Sequence, residues 1–138
     1  FSLKHQIDNS MNWFGNFTFN NSKITNPDNK DMDDIEIPFV PSIVCNVGFE
    51  IFLPYSIKII PVLTYNSKIY DSNSKKDRNS FETKEIVNIY FSKKFDLDEI
   101  HYFDVLLAFN NITNNRFEMP WQFINPGLTY TIGVKTSF

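Results

Sequence analysis

Seven stretches of the chain alternate apolar and polar residues with a period of two, and that period commits a segment to a strand with two unlike faces. The first, Phe1 to Ile7, sets Phe1, Leu3, His5 and Ile7 against Ser2, Lys4 and Gln6. The second sets Met11, Trp13, Gly15, Phe17 and Phe19 against Asn12, Phe14, Asn16 and Thr18. The same pattern returns from Ile43 to Leu53, Ile57 to Tyr65, Val87 to Phe91, His101 to Phe109 and Tyr130 to Phe138. These segments predict strands near 1-7, 10-20, 41-53, 56-66, 84-94, 99-110 and 128-138. Pro61 interrupts the fourth, and because proline lacks a ladder donor and suits edges or bulges, it predicts either a local bulge or a different register there.

The connections alternate as regularly as the residues. Asp8-Asn9-Ser10, Pro54-Tyr55-Ser56 and Asp96-Leu97-Asp98 are tight turns, whereas 21-38, 66-84 and 111-127 are long, polar loops. Short and long connections in strict alternation predict an up-and-down antiparallel meander with all its long loops at one end. A transmembrane β-barrel shows that asymmetry. The apolar faces point the same way: in a chain that is 21% charged, only Glu85 and Lys93 fall on them, both at segment ends. Lys4, Glu50, Lys58, Asp104 and Lys135 stand mid-strand on the opposite face. Aromatic residues gather toward the segment ends, as the interfacial girdles of a membrane barrel require. The expectation is therefore an all-β, antiparallel up-and-down transmembrane barrel segment whose apolar face meets outer-membrane lipid. Seven strands are too few for a bacterial barrel, which implies a fragment of a larger one.

Composition removes other classes. With 13 basic and 16 acidic residues the chain has a net charge of -3, so no basic field exists for nucleic acid. A single cysteine, Cys45, makes neither an internal disulfide nor a thiolate metal site. The two histidines, His5 and His101, lack metal-ligand spacing, and no serine sits in a nucleophile elbow, so no enzyme activity and no cofactor are expected. No run of 18 apolar residues occurs. The chain opens within a patterned segment, without initiator methionine or signal peptide, which reads as a cut from something longer.

Three stretches carry a resemblance to a family. Ile37-Pro38-Phe39-Val40-Pro41 precedes a strand; Phe109-Asn110-Asn111-Ile112-Thr113-Asn114-Asn115-Arg116-Phe117 closes another; Asn125-Pro126-Gly127-Leu128-Thr129-Tyr130-Thr131-Ile132-Gly133-Val134 opens the last. Together they resemble the C-terminal end of TonB-dependent outer-membrane receptors, with Asn111, Phe117, Pro126, Gly127 and Gly133 at motif positions and Leu128 where the family has arginine. The resemblance implies a 22-stranded barrel in the outer membrane of a Gram-negative bacterium, importing an iron-siderophore or similar scarce nutrient. Residues 1-138 would be the C-terminal part of its barrel domain, with the plug domain and the TonB-coupling segment lying outside the chain. It also implies that Tyr130, Ile132, Val134, Thr136 and Phe138 form a C-terminal signal for the barrel-assembly machinery. Two other readings stay open from the residues: a small outer-membrane barrel with an adhesion or structural role, and a soluble β-sandwich binding module.

The remaining motifs carry less. Asp28, Asp31, Asp33, Asp34 and Glu36 concentrate acid in the first long loop and read as a solvated loop. Asp71, Asn73 and Glu82 have part of a calcium-loop spacing, but Lys75 and Lys76 occupy positions that such a loop cannot give up.

Overall fold

The computed structural model describes residues 1-82, 85-98 and 101-137, with nothing described of the Ser137 side chain. Seven long strands stand close to where the alternation placed them: β1 (Ser2–Gln6), β2 (Met11–Phe19), β5 (Ile43–Leu53), β6 (Ile57–Asn66), β9 (Ile86–Asp96), β10 (Tyr102–Asn110) and β13 (Thr129–Ser137). They form one antiparallel sheet in the order β1-β2-β5-β6-β9-β10-β13, each strand beside its successor. The three long connections fold into two-stranded ribbons of their own. These are β3 (Lys23–Ile24) with β4 (Ile35–Glu36), β7 (Ile69–Tyr70) with β8 (Ser80–Phe81), and β11 (Glu118–Met119) with β12 (Phe123–Ile124). A three-residue turn, Pro120–Gln122, with Trp121 and Gln122 at positive φ, joins the last pair.

Turn chemistry fixes the hairpins. Asp8 Oδ1 accepts from the Ser10 backbone N–H and from the Ser10 hydroxyl, both at 2.7 Å, so the first turn is tied by its own side chain. Asp98 does the same work before β10, accepting the His101 N–H at 2.8 Å. Between them, Tyr55 and Ser56 take positive φ to turn β5 into β6. Register then follows. Leu3, Gly15, Val47, Leu63 and Val87 lie on one rung across five strands, and Phe91, Leu107 and Ile132 on another. Every apolar face therefore lands on the same side of the sheet.

Pro61 causes neither a bulge nor a change of register. It sits in β6, in the middle of the sheet, and pairs with Ile89 of β9. On its β5 side the rungs opposite Phe49 and Glu50 are missing, while the register before and after the gap is the same. The missing N–H costs rungs and leaves the alignment intact.

The barrel expectation is corrected. All four sheets are open, and none closes into a barrel. In the large sheet β1 and β13 have one neighbour each, so each keeps an outer row of backbone groups with no strand opposite. Hydrocarbon offers such a row no partner, at several kcal/mol per group. The transmembrane barrel segment is thus replaced by an all-β domain with open sheets, and the TonB-dependent receptor assignment and nutrient uptake go with it. The outer-membrane location loses its basis, as do the expected partners: outer-membrane lipid, the barrel-assembly machinery, TonB and an iron-siderophore. Each presupposed a closed wall. No helix among the described residues is long and apolar enough to cross a membrane.

The features that suggested a barrel have local causes here. Aromatic residues near strand ends pair across strands: Phe95 stacks on Phe103 with ring centroids 4.7 Å apart, and Phe91 meets Phe109 edge-on at 6.0 Å. The long connections are bound to one another. Lys75 N–H donates to the Asp31 carbonyl at 3.0 Å, Phe39 N–H to the Tyr70 carbonyl at 2.8 Å, and the Phe39 and Trp121 rings lie 5.2 Å apart. Among the described residues only Ile35, Gly48, Asn111, Pro120 and Gly127 are buried. Four of the five belong to this loop end, and Gly48 lies under the ring of Phe14, its partner across the β2–β5 ladder.

Candidate binding site at the outer edge of β13

The chain is delivered to β13 by a loop built around one buried side chain. Asn111 is 3% exposed and left-handed, with φ of 54°, a conformation asparagine tolerates. Its Nδ2 donates to the Asn115 carbonyl at 2.8 Å and to Asn125 Oδ1 at 2.9 Å. Its Oδ1 accepts from the Asn115 N–H at 3.1 Å and the Thr113 hydroxyl at 3.0 Å. Its own N–H reaches Asn88 Oδ1 on β9 at 2.9 Å, which ties the loop to the sheet. All the hydrogen-bonding capacity of the amide is thereby used.

The other motif positions gather round it. Gly127, with φ of 80°, donates its N–H to Asn125 Oδ1 at 3.0 Å, and a Cβ there would run into Asn114 Oδ1. Asn114 Oδ1 also takes the Leu128 N–H at 3.1 Å, and Phe117 accepts the Asn125 N–H through its carbonyl at 3.0 Å. Asn111, Phe117, Pro126 and Gly127 are thus one folded loop, whereas Gly133 lies in mid-strand beside Leu106. Phe138 lies outside the described residues.

From this anchor β13 runs nine residues along β10, with Tyr130, Ile132, Val134 and Thr136 in one row. Tyr130 is 75% exposed, and Ile132 and Val134 are 65% exposed. The single charge on the strand, Lys135, stands opposite Asp104 of β10. The other edge differs. On β1, which pairs with β2 from Ser2 to Gln6, Lys4 is bonded to Glu50 at 2.6 Å.

Sequence reasoning missed the loop-to-loop network. Asp31 accepts the Ser74 hydroxyl at 2.6 Å and the Lys76 N–H at 3.2 Å, and these bonds lower its pKa. Glu36 accepts from Arg78 at 2.8 Å, which lowers its pKa as well, while the Arg78 guanidinium lies 3.9 Å from the Tyr70 ring centre. Within single loops, Asp33 caps the Asn26 N–H at 2.8 Å, Asp34 meets Lys23 at 2.8 Å, and Asp71 holds both the backbone and side-chain nitrogens of Asn79 at 2.8 Å. The legible signal was complementary charge: acids in the first long loop, and Lys75, Lys76 and Arg78 in the second. His101 directs its ring at the Asp98 carboxylate, 2.7 Å away, in a turn with no serine in the contact. Among the described residues no group of three metal-ligating side chains occurs.

No protein-family model matches the chain, and a search of curated proteins finds no relative.

Proposed function

We propose that this chain is a non-catalytic binding module that takes up an extended segment of another polypeptide as an added strand on β13. One observation supports the reading above others: β13 offers a nine-residue edge whose apolar row stands in solvent. Natural sheets blunt such edges with short strands, lysine, bulges or covering loops. On β1 Lys4 is tied to Glu50, and on β13 the one lysine stands opposite an aspartate. Strand addition draws affinity from main-chain hydrogen bonds and selectivity from alternate side chains. The row Tyr130, Ile132, Val134 selects a segment with apolar residues at every second position. The Asn111 loop keeps the start of the edge in place, so little ordering is needed on binding.

A labelled peptide copying Tyr102–Asn110 tests this, because β10 already matches β13 residue by residue on its inner side. Fluorescence anisotropy is expected to show saturable binding that Val134→Lys weakens at least tenfold. N-methylation of alternate peptide amides removes it. Equal binding by the N-methylated peptide, or no saturation, overturns the proposal.

A further inference from the structure

The second face of the sheet carries a hollow that the strand-addition reading does not use. It is an open depression of about 430 Å³, within the size range of small-molecule sites. Two neighbouring rungs make it: Lys58, Ser92, Leu106 and Gly133 on one, Ile60, Tyr90, Ala108 and Thr131 on the other. The small residues Ser92, Ala108 and Gly133 leave the floor low, while Ile60, Tyr90 and Leu106 stand as apolar walls. A Cβ placed on Gly133 meets only Leu106, at 3.8 Å, so the space above that glycine is open and its backbone is unstrained.

Charge gives the hollow a direction. Lys58 lines its β6 side with an ammonium directed toward β5, 3.4 Å from Glu50 Oε1 and 5.5 Å from the Phe52 ring centre, while the other oxygen of Glu50 is taken by Lys4 at 2.6 Å and by Asn12 at 3.1 Å. One carboxylate thus serves two ammonium groups, and the longer contact is the one to Lys58. The Tyr90, Ser92 and Thr131 hydroxyls add hydrogen-bonding capacity along the lining.

We infer that this hollow binds a small anionic amphiphile, a medium-chain carboxylate whose tail lies over Ala108 and Gly133 and whose head meets Lys58. The inference is independent of the β13 edge and rests on the opposite face.

Ala108 is the chain's one alanine, so ¹³C-methyl labelling of alanine places a single NMR signal on the floor of the hollow. Titration with decanoate below its micelle concentration is expected to shift that signal saturably. Lys58→Met is expected to weaken binding at least fivefold for decanoate and to leave decanol unchanged. Gly133→Leu fills the space and is expected to abolish the shift; Lys58→Met reports independently should that variant fail to fold. An unmoved Ala108 signal overturns the assignment, whether or not decanoate binds elsewhere on the sheet. So does equal binding of decanoate, decanol and decyltrimethylammonium.

Discussion

Glu50 shows how a single side chain on the half-wet face acquires structural weight. Bonds from Lys4 and Asn12, with the charge of Lys58 beyond them, hold its carboxyl down to about 2, and only 17% of the side chain meets solvent. A carboxyl whose pKa falls on folding stabilises the fold fully above its unfolded value, near 4.5, and loses that contribution as pH drops through the folded value. Glu50→Gln is therefore expected to cost about 1–2 kcal/mol at pH 7, a figure that allows for solvent around the exposed Lys4. Urea unfolding of both proteins across pH checks this: the gap stays constant at neutral pH, narrows below about 4.5 and closes near 2. The face assignment of Lys4, Glu50 and Lys58 was legible from alternation. Their convergence on one carboxylate was not, because it depends on register across four strands.

Among the elements, β6 carries the anomaly. A proline in a central strand lacks the donor that would complete the rung to Phe49, and the ladder to β5 is interrupted there. The alignment survives because Val47, Gly48, Ile51 and Phe52 pair normally on either side. Pro61→Val restores the donor and is expected to stabilise the domain by about 0.5–1.5 kcal/mol, the usual net worth of one hydrogen bond. Thermal unfolding measures the gain, and hydrogen exchange is expected to slow in the β5–β6 hairpin; an unchanged or lower stability contradicts this account of the gap. Strand positions were readable because period two survives one proline. The expectation of a bulge or a different register failed because the proline rule describes what sheets prefer, and the rungs around Pro61 hold the alignment despite its absent bond. The loop around Asn111 was readable only as a run of motif positions; its geometry depends on Asn88, a β9 residue that no local pattern connects to it.

For the whole molecule, the decisive quantity is how the sheet ends. Alternation, strand length and loop asymmetry describe a meander, and a meander is common to a closed wall and an open sheet. Closure is a relation between the first and last strands, and nothing in the intervening residues encodes it. Here β1 and β13 remain apart, with the apolar side of the sheet open to association and the loops bound together at one end. The strand-addition reading joins that openness to the exposed apolar row of β13.

The most direct test measures the separation of the two edges. Gln6 and Thr131 both lie in solvent at opposite edges of the sheet, six strand spacings apart. At about 4.8 Å per spacing a flat sheet sets them about 29 Å apart, less with twist. Spin labels on Gln6→Cys and Thr131→Cys, in a Cys45→Ser background, are expected to give a dipolar distance of about 20–30 Å. A separation of one strand spacing, about 5 Å between backbones and seen as strong spin–spin broadening, would contradict the open sheet.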